Sequence, residues 1–565
     1  MKKILLPFVA MVMAFGLFSC NKAMDSLPAE YINVNPKILE THGGKVAASI
    51  TGTFPEKFFV KKAILSVTPV LKYEGGEARG ETVSYQGEKV KDQNFKVVSY
   101  KEGGQFTQNI SFDYVPEMRN SQLVLEFVVK TKKKEMELPD VKIADGVIAT
   151  PTLVKAVAIK PAFGQDKFIR VIQETQEADL MFLIQQANIR SSEISKDEVK
   201  AVKDAIASTK EDESRAINSL AVSAYASPDG PESLNANLAE KREKAAVDFF
   251  KKQFGKKEAQ PSVNSKFTAE DWDGFRALVM NSDIQDKEMI LRVLSMYQDP
   301  LEREKEIKNM SAAYKALADE ILPQLRCSKL QVVVDVIGRS DEEILDLLKN
   351  DASKLSVEET IYAGAIAKDD DTKVKAYEAA MKNYPEDWRG YNNAGAMKFM
   401  AGDVKGAQEL FNQAFVKQAN PETNFNLGLV ELANGNDATA EEYFGRAAGV
   451  GDKLNEAMAV LYVKQGKYKD AAGIIGNVKS NNAGIVYIMN GDLNTAQSTL
   501  TAIENPDAMT HYILAIVGAR ANDKDLLIAN LKKAVEMDKD LAKFALTDLE
   551  FYSYLADADF LAIAK

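Results

Sequence analysis

The sequence predicts three folded parts: an N-terminal β-sandwich, a central α+β domain with a helical insert, and a C-terminal all-α solenoid. Three observations lead there. One run in the first part alternates strictly, strand-like and helix-like runs alternate in the second, and small and aromatic residues recur every 33 positions in the last. With about 150 residues per domain as a guide, the 565-residue length allows three or four such parts.

The sandwich is expected over residues 31–160. Phe106, Ile110, Phe112 and Tyr114 share one face of a period-two run and Thr107, Asn109, Ser111 and Asp113 the other, with Gln108 the one polar residue on the apolar face. Further apolar runs, Ala63–Thr68 and Leu123–Val129, are separated by Gly75-Gly76 and Gly103-Gly104, which mark turns. The run Lys132-Lys133-Lys134-Glu135 falls between two strand-like runs and reads as a solvated hairpin turn.

The α+β domain is expected over 166–345, with strands at Asp179–Ile184, Leu220–Tyr225 and Lys329–Val336 and helices at Asp197–Ser208 and Leu238–Phe250. Residues 262–325 form the insert, with helical patterns such as Met289–Tyr297. The stretch Ala224–Phe250 resembles the OmpA-like peptidoglycan-associated domain, because Gly230, Asn235, Leu238 and Arg242 fall at that family's spacing. The resemblance implies that a loop Asp and the helix Arg grip diaminopimelate of the cell-wall peptide. A zwitterion needs one anion and one guanidinium, and Arg can hold a carboxylate with two parallel hydrogen bonds. Arg242 matches the helix Arg; Ser227 stands where the family has Asp, leaving Asp229 as the nearby substitute and Asn235 as a further candidate.

The solenoid is expected over 355–565. Gly395/Gly428, Gly402/Gly435, Ala407/Ala440, Phe411/Phe444 and Ala414/Ala447 each recur at 33 residues, and the frame continues through Gly466, Ala471, Gly484, Gly491 and Ala496. These positions resemble tetratricopeptide repeats, which pair two helices through small residues and aromatic fillers. That resemblance places function on the concave face, an extended groove for partner proteins or peptides.

Met1-Lys2-Lys3 followed by the uncharged stretch Ile4–Phe18 is a secretory signal over residues 1–19. Leu17-Phe18-Ser19-Cys20 resembles a bacterial lipobox, which implies lipidation of Cys20, with residues 20–30 as a tether. Within it Asp25-Ser26-Leu27 resembles a tripeptide that is O-glycosylated in exported proteins of Bacteroidota, a three-residue match that chance supplies.

Composition excludes several classes. The 71 Lys+Arg against 82 Asp+Glu give a net charge of −11, which disfavours a nucleic-acid surface. Two His and two Cys, far apart, cannot build structural zinc, and no nucleophile elbow accompanies His42 or His511. No metal, cofactor or catalytic residue is expected, and Cys327 is left without a partner. The expectation is a non-catalytic envelope lipoprotein scaffold of the Bacteroidota type, anchored in the outer membrane by lipid. Peptidoglycan would bind the OmpA-like domain and protein partners the repeats. The alternative is an accessory subunit of a secretion or assembly complex that has lost peptidoglycan binding.

Overall fold

The computed structural model describes residues 24–254 and 261–565; the signal and Cys20 lie outside the described residues. The chain divides into two compact units, one holding the residues up to Gln165 together with Tyr377–Lys565, the other Asp166–Ala376. None of the described helices is long and apolar enough to cross a membrane.

In the first unit two sheets pack face to face. Strand Lys45–Phe54 pairs along its whole length with Gly104–Asp113, and along its other edge with Ile32–Asn35 and Leu39–His42 in succession. The second sheet centres on Ile64–Tyr73, flanked by Ser121–Lys130 and then Glu135–Asp145. Alternation puts Phe106, Ile110 and Phe112 in the shared core, where the Phe54 ring lies 5.1 Å from Phe106 and 5.3 Å from Tyr85. Gln108 is buried among them, and its Nε2 donates to the Val67 carbonyl of the opposite sheet at 3.0 Å. A lone polar group on an apolar face thus bonds across to the facing sheet. The packing also reaches back into the stretch read as a tether. Met24 and Leu27 are buried in the sandwich core, because apolar side chains so close to it gain by covering it, and the Ser26 hydroxyl donates to Pro139 at 2.5 Å.

Five helix pairs follow among the described residues of the C-terminal part: Trp388–Met400 with Val404–Lys417, Pro421–Ala433 with Asp437–Phe444, Asp452–Lys464 with Tyr468–Ile474, Asn481–Met489 with Leu493–Thr501, and Ala508–Ala521 with Lys524–Met537. Gly402, Gly435, Gly466 and Gly491 make the turn inside the first four, each with φ between +76° and +84°, a conformation that favours glycine. Asn522, at φ +56°, takes the equivalent place in the fifth. A Cβ on Gly395 would meet the Phe411 ring at 2.8 Å and one on Gly428 the Phe444 ring at 2.5 Å, so each small residue makes room for its hairpin's aromatic. Ala407, Ala414, Ala440 and Ala447 are buried in the same seams.

The second unit contains a four-stranded sheet in the order Val171–Met181, Cys327–Ile337, Arg215–Tyr225, Val263–Thr268, antiparallel except for the last pair. Helices Asp197–Glu211 and Glu232–Lys251 cover one face through Val199, Val202, Ile206, Ala246 and Phe250. The other face is polar, with Gln331 donating to Glu177 at 2.7 Å and Gln173 to Asp335 at 3.1 Å. Two expectations change. The first strand is Val171–Met181 rather than Asp179–Ile184, because an edge strand tolerates an exposed polar half while the apolar run ends in a turn at Gln185. Val263–Thr268, assigned to the insert, completes the sheet, so the insert's helices begin only at Trp272, around a core of their own that includes Phe275, Ile290 and Leu317.

Candidate functional site: a strap across the helical repeats

After the sandwich the chain does not leave the first unit at once. Residues 150–165 run across the first helices of the repeats in the direction opposite to the repeat order. Val154, Ala156, Ile159 and Ala162 are buried in the repeats' own core. Two short 3-10 turns, Thr150–Leu153 and Ala156–Ala158, satisfy part of its main chain, and the extended residues between and after them, with no partner strand, must find partners some other way. Asparagine side chains do so. Asn482 accepts from the Lys155 N–H at 2.8 Å and donates to its carbonyl at 3.1 Å. Asn426 does the same for Ala162, at 2.8 and 2.7 Å, and Asn393 for Gly164, at 2.7 and 2.9 Å. Asn392 adds a second donor to the Ala162 carbonyl at 2.8 Å. All four are at most 2% exposed.

One amide side chain carries a donor and an acceptor at the spacing of a residue's N–H and C=O, so each of these asparagines acts as a single-residue β-partner. The asparagines read the main chain, while the repeats' core takes up the apolar side chains. In the third repeat Ala457 stands at this position, and there Lys453 donates to the Pro161 carbonyl at 3.0 Å. Beside it Glu456 accepts from Ser480 at 2.6 Å and from Asn482 at 3.3 Å; burial raises its carboxyl above the ordinary range.

The strap's start is fixed by a polar cluster. Thr150 donates to Glu550, which also accepts from Arg520 at 2.8 Å, and Arg520 reaches Glu40 of the sandwich at 2.8 Å. Nearby, Arg119 lies 3.6 Å from the centre of the Phe544 ring and His42 packs edge-on against Tyr468 at 4.7 Å. The groove expected to stand open for a partner is therefore occupied along residues 150–165 by the chain itself, and a cavity of about 700 Å³ stays open beside it, between Ala158 and Lys160 of the strap and Glu456, Ser480 and Asp507 of the repeats. The asparagines were legible: Asn393, Asn426 and Asn482 each stand two residues before the packed glycine, Gly395, Gly428 and Gly484. The packing positions mark the repeat's helices, and only this polar recurrence marks the strap's partners.

The second candidate site is differently used. Asn235, Ala239, Arg242 and Ala246 form one buried stripe of helix Glu232–Lys251, at spacings of four, three and four. Arg242 is fully buried. Its Nε donates to the Gln186 carbonyl at 3.0 Å, Nη1 to Tyr225 at 2.8 Å and Nη2 to Leu183 at 3.3 Å, and the guanidinium lies 5.1 Å from the centre of the Phe182 ring. Burial, and then the charge of Arg326, pulls the Arg242 pKa down to about 10. Asp229 accepts from Arg326 at 3.0 Å and from Ser227 at 2.8 Å, and Asn235 donates to Gly230 at 2.9 Å and Glu270 at 3.3 Å. Arg242 and Asp229, expected to grip a ligand together, do not bond to each other: the helix turns Arg242 inward, and Asp229 finds Arg326.

Cys327 is buried, and burial pushes its thiol up to about 12. His511 pairs with Asn530 at 3.1 Å. Among the described residues no three His, Cys, Asp or Glu converge as metal ligands.

No family model and no curated protein matches the chain. Solved structures similar to it include a tetratricopeptide repeat protein from Parabacteroides merdae, at 15% identity over 44% of this chain and 97% of that one, with a TM-score of 0.29. YrrB, a tetratricopeptide repeat protein with an unusual peptide-binding site, matches at 18% identity over 32% of this chain and 99% of that one, TM-score 0.23. Yeast Tom70 matches at 12% over 58% and 76%, TM-score 0.27. The helix pairs described above stand on their own packing.

Proposed function

We propose that the chain is a non-catalytic scaffold of the bacterial cell envelope, held at the outer membrane by lipid on Cys20, whose repeats present protein-binding surfaces outside their groove. The observation that carries this reading is the strap. Bidentate asparagines and buried apolar residues commit the groove to the chain's own residues 150–165, which ties sandwich and repeats into one unit. A unit whose groove is occupied in this way offers partners the outward helices, such as that carrying Val416, 82% exposed. The leader and lipobox-like stretch supply the reason for the location, and several acyl chains on one cysteine would hold it firmly.

Of the two roles for the α+β domain, the internal use of Arg242 and Asp229 favours the assembly subunit over peptidoglycan binding. Fractionation of cells making wild type and Cys20→Ala tests the anchor, with release of the variant expected and unchanged fractionation overturning it. A photo-crosslinking residue at Val416 is expected to capture protein partners in intact cells, while one replacing Asn426 captures none. Capture from Asn426 alone would return function to the groove, and wall retention lost in Arg242→Ala while the domain's strands keep their hydrogen-exchange protection would restore peptidoglycan.

A further inference from the structure

A cleft at one end of the sandwich has no part in the strap or in the α+β loop. Three segments distant in sequence meet there around about 480 Å³: Lys62 before the strand Ile64–Tyr73, Lys89 and Lys91 in the loop after Val83–Gly87, and Lys130 and Lys132 at the hairpin after Ser121–Lys130. Ile64 and Val90 give it a half-buried apolar lining, and Asp92 is the one carboxylate among its lining residues. The lysine run read as a hairpin turn is one, closed by the Thr131 N–H on the Lys134 carbonyl at 2.8 Å, but it is also a wall of this cleft.

The charges are out of keeping with the molecule. In a chain of net charge −11, five exposed lysines line a single cavity. Lys130 is paired with Glu135 at 3.0 Å, whereas Lys62, Lys89, Lys91 and Lys132 have no ion-pair partner among the described residues. Exposed as they are, these ammonium groups are screened by water and salt, and together they make a local positive potential that attracts a multiply charged anion. The residue type narrows the anion. Arginine matches a carboxylate with its planar fork, and none lines the cleft; the lysine ammonium is a compact point charge with three donors, suited to several oxygens of a tetrahedral group. We propose that this cleft binds a multiply charged, phosphate-bearing anion.

The test titrates the full chain at low salt with inorganic tripolyphosphate, with vesicles of phosphatidylglycerol or phosphatidylcholine, and with polyglutamate. The triple variant Lys89→Gln, Lys91→Gln, Lys132→Gln is compared with Lys405→Gln, Lys532→Gln, Lys533→Gln, which removes equal charge from exposed positions on the repeats. Phosphate binding should weaken with salt, fall at least about tenfold in the cleft variant and stay unchanged in the control. Binding to phosphatidylglycerol vesicles alone identifies a lipid headgroup as the phosphate source, and binding to tripolyphosphate alone a soluble anion. No binding to either, or equal loss in both variants, overturns the proposal. Polyglutamate binding as tightly as tripolyphosphate would assign the cleft to an acidic polypeptide instead.

Discussion

The repeat groove and the Arg242 loop solve one problem with different chemistry. In each, a fully buried polar side chain bonds to backbone of an irregular segment. In the groove the backbone is extended, so both N–H and C=O of a residue point the same way and asparagine answers both. Around Arg242 the carbonyls of Leu183, Gln186 and Tyr225 converge, and a side chain with donors only answers all three. The residue type thus reports which backbone groups are orphaned, and a buried Arg or Asn is no sign of a ligand by itself.

The comparison breaks most severely at Arg242. Arg242→Met keeps the stem but takes the donor from the carbonyls of Leu183, Gln186 and Tyr225, at roughly 1–3 kcal/mol for each that water does not reach. The expected loss is about 3 kcal/mol or more for the α+β domain, read by hydrogen exchange of its strands in the full chain. Arg242→Lys restores charge without the planar fork and should fall between. A variant as stable as wild type would mean that the carbonyls are content with water and that the guanidinium is free for other work.

Asn426 tests the groove by the same logic. Asn426→Ala orphans the Ala162 N–H, while Asn392 still donates to its carbonyl, so the expected cost is about 1–3 kcal/mol in holding the strap. Asn426→Asp is the sharper probe: nearly the same shape, an acceptor kept, the donor lost and a charge set against the Ala162 carbonyl. Both should speed exchange of the Ala162 and Gly164 amides about tenfold or more. If Asp were tolerated as well as Asn, the side chain would be acting as an acceptor only.

How far the sequence carried follows from the same residues. Alternation located the strand around Ile110, and the 33-residue frame located the helix pairs through Gly395 and Phe411, because both patterns record packing between neighbours that repeat. What escaped was contact between distant segments. Nothing near Ala162 announces Asn426, and nothing in Lys132 announces Lys62 and Lys89. For Arg242 the spacing marks the position and leaves the burial open, since spacing along a helix fixes a stripe but not which side of it faces the core. Asn235, Ala239 and Ala246 on that stripe were the available sign, two small residues among polar ones.

Glu456 gives the mildest and most pH-sensitive version of the comparison, because it is an acceptor-only group placed where the ladder of asparagines is interrupted. Burial raises its carboxyl, with Ser480 and Asn482 opposing that rise. A carboxyl whose folded pKa lies above its unfolded value withholds stability at pH above the folded value. The penalty is relieved as pH falls toward the ordinary carboxylate range. Glu456→Gln keeps an oxygen for Ser480 and removes the buried charge, so at neutral pH it should hold the strap slightly more firmly than wild type, by less than the asparagine changes cost. The ratio of Lys155 amide exchange in wild type to that in the variant, in which the intrinsic pH dependence of exchange cancels, should exceed one at neutral pH and approach one in acid. A ratio below one at neutral pH would show instead that the charge itself holds Asn482 in place, and that the interrupted ladder depends on an ionised acceptor.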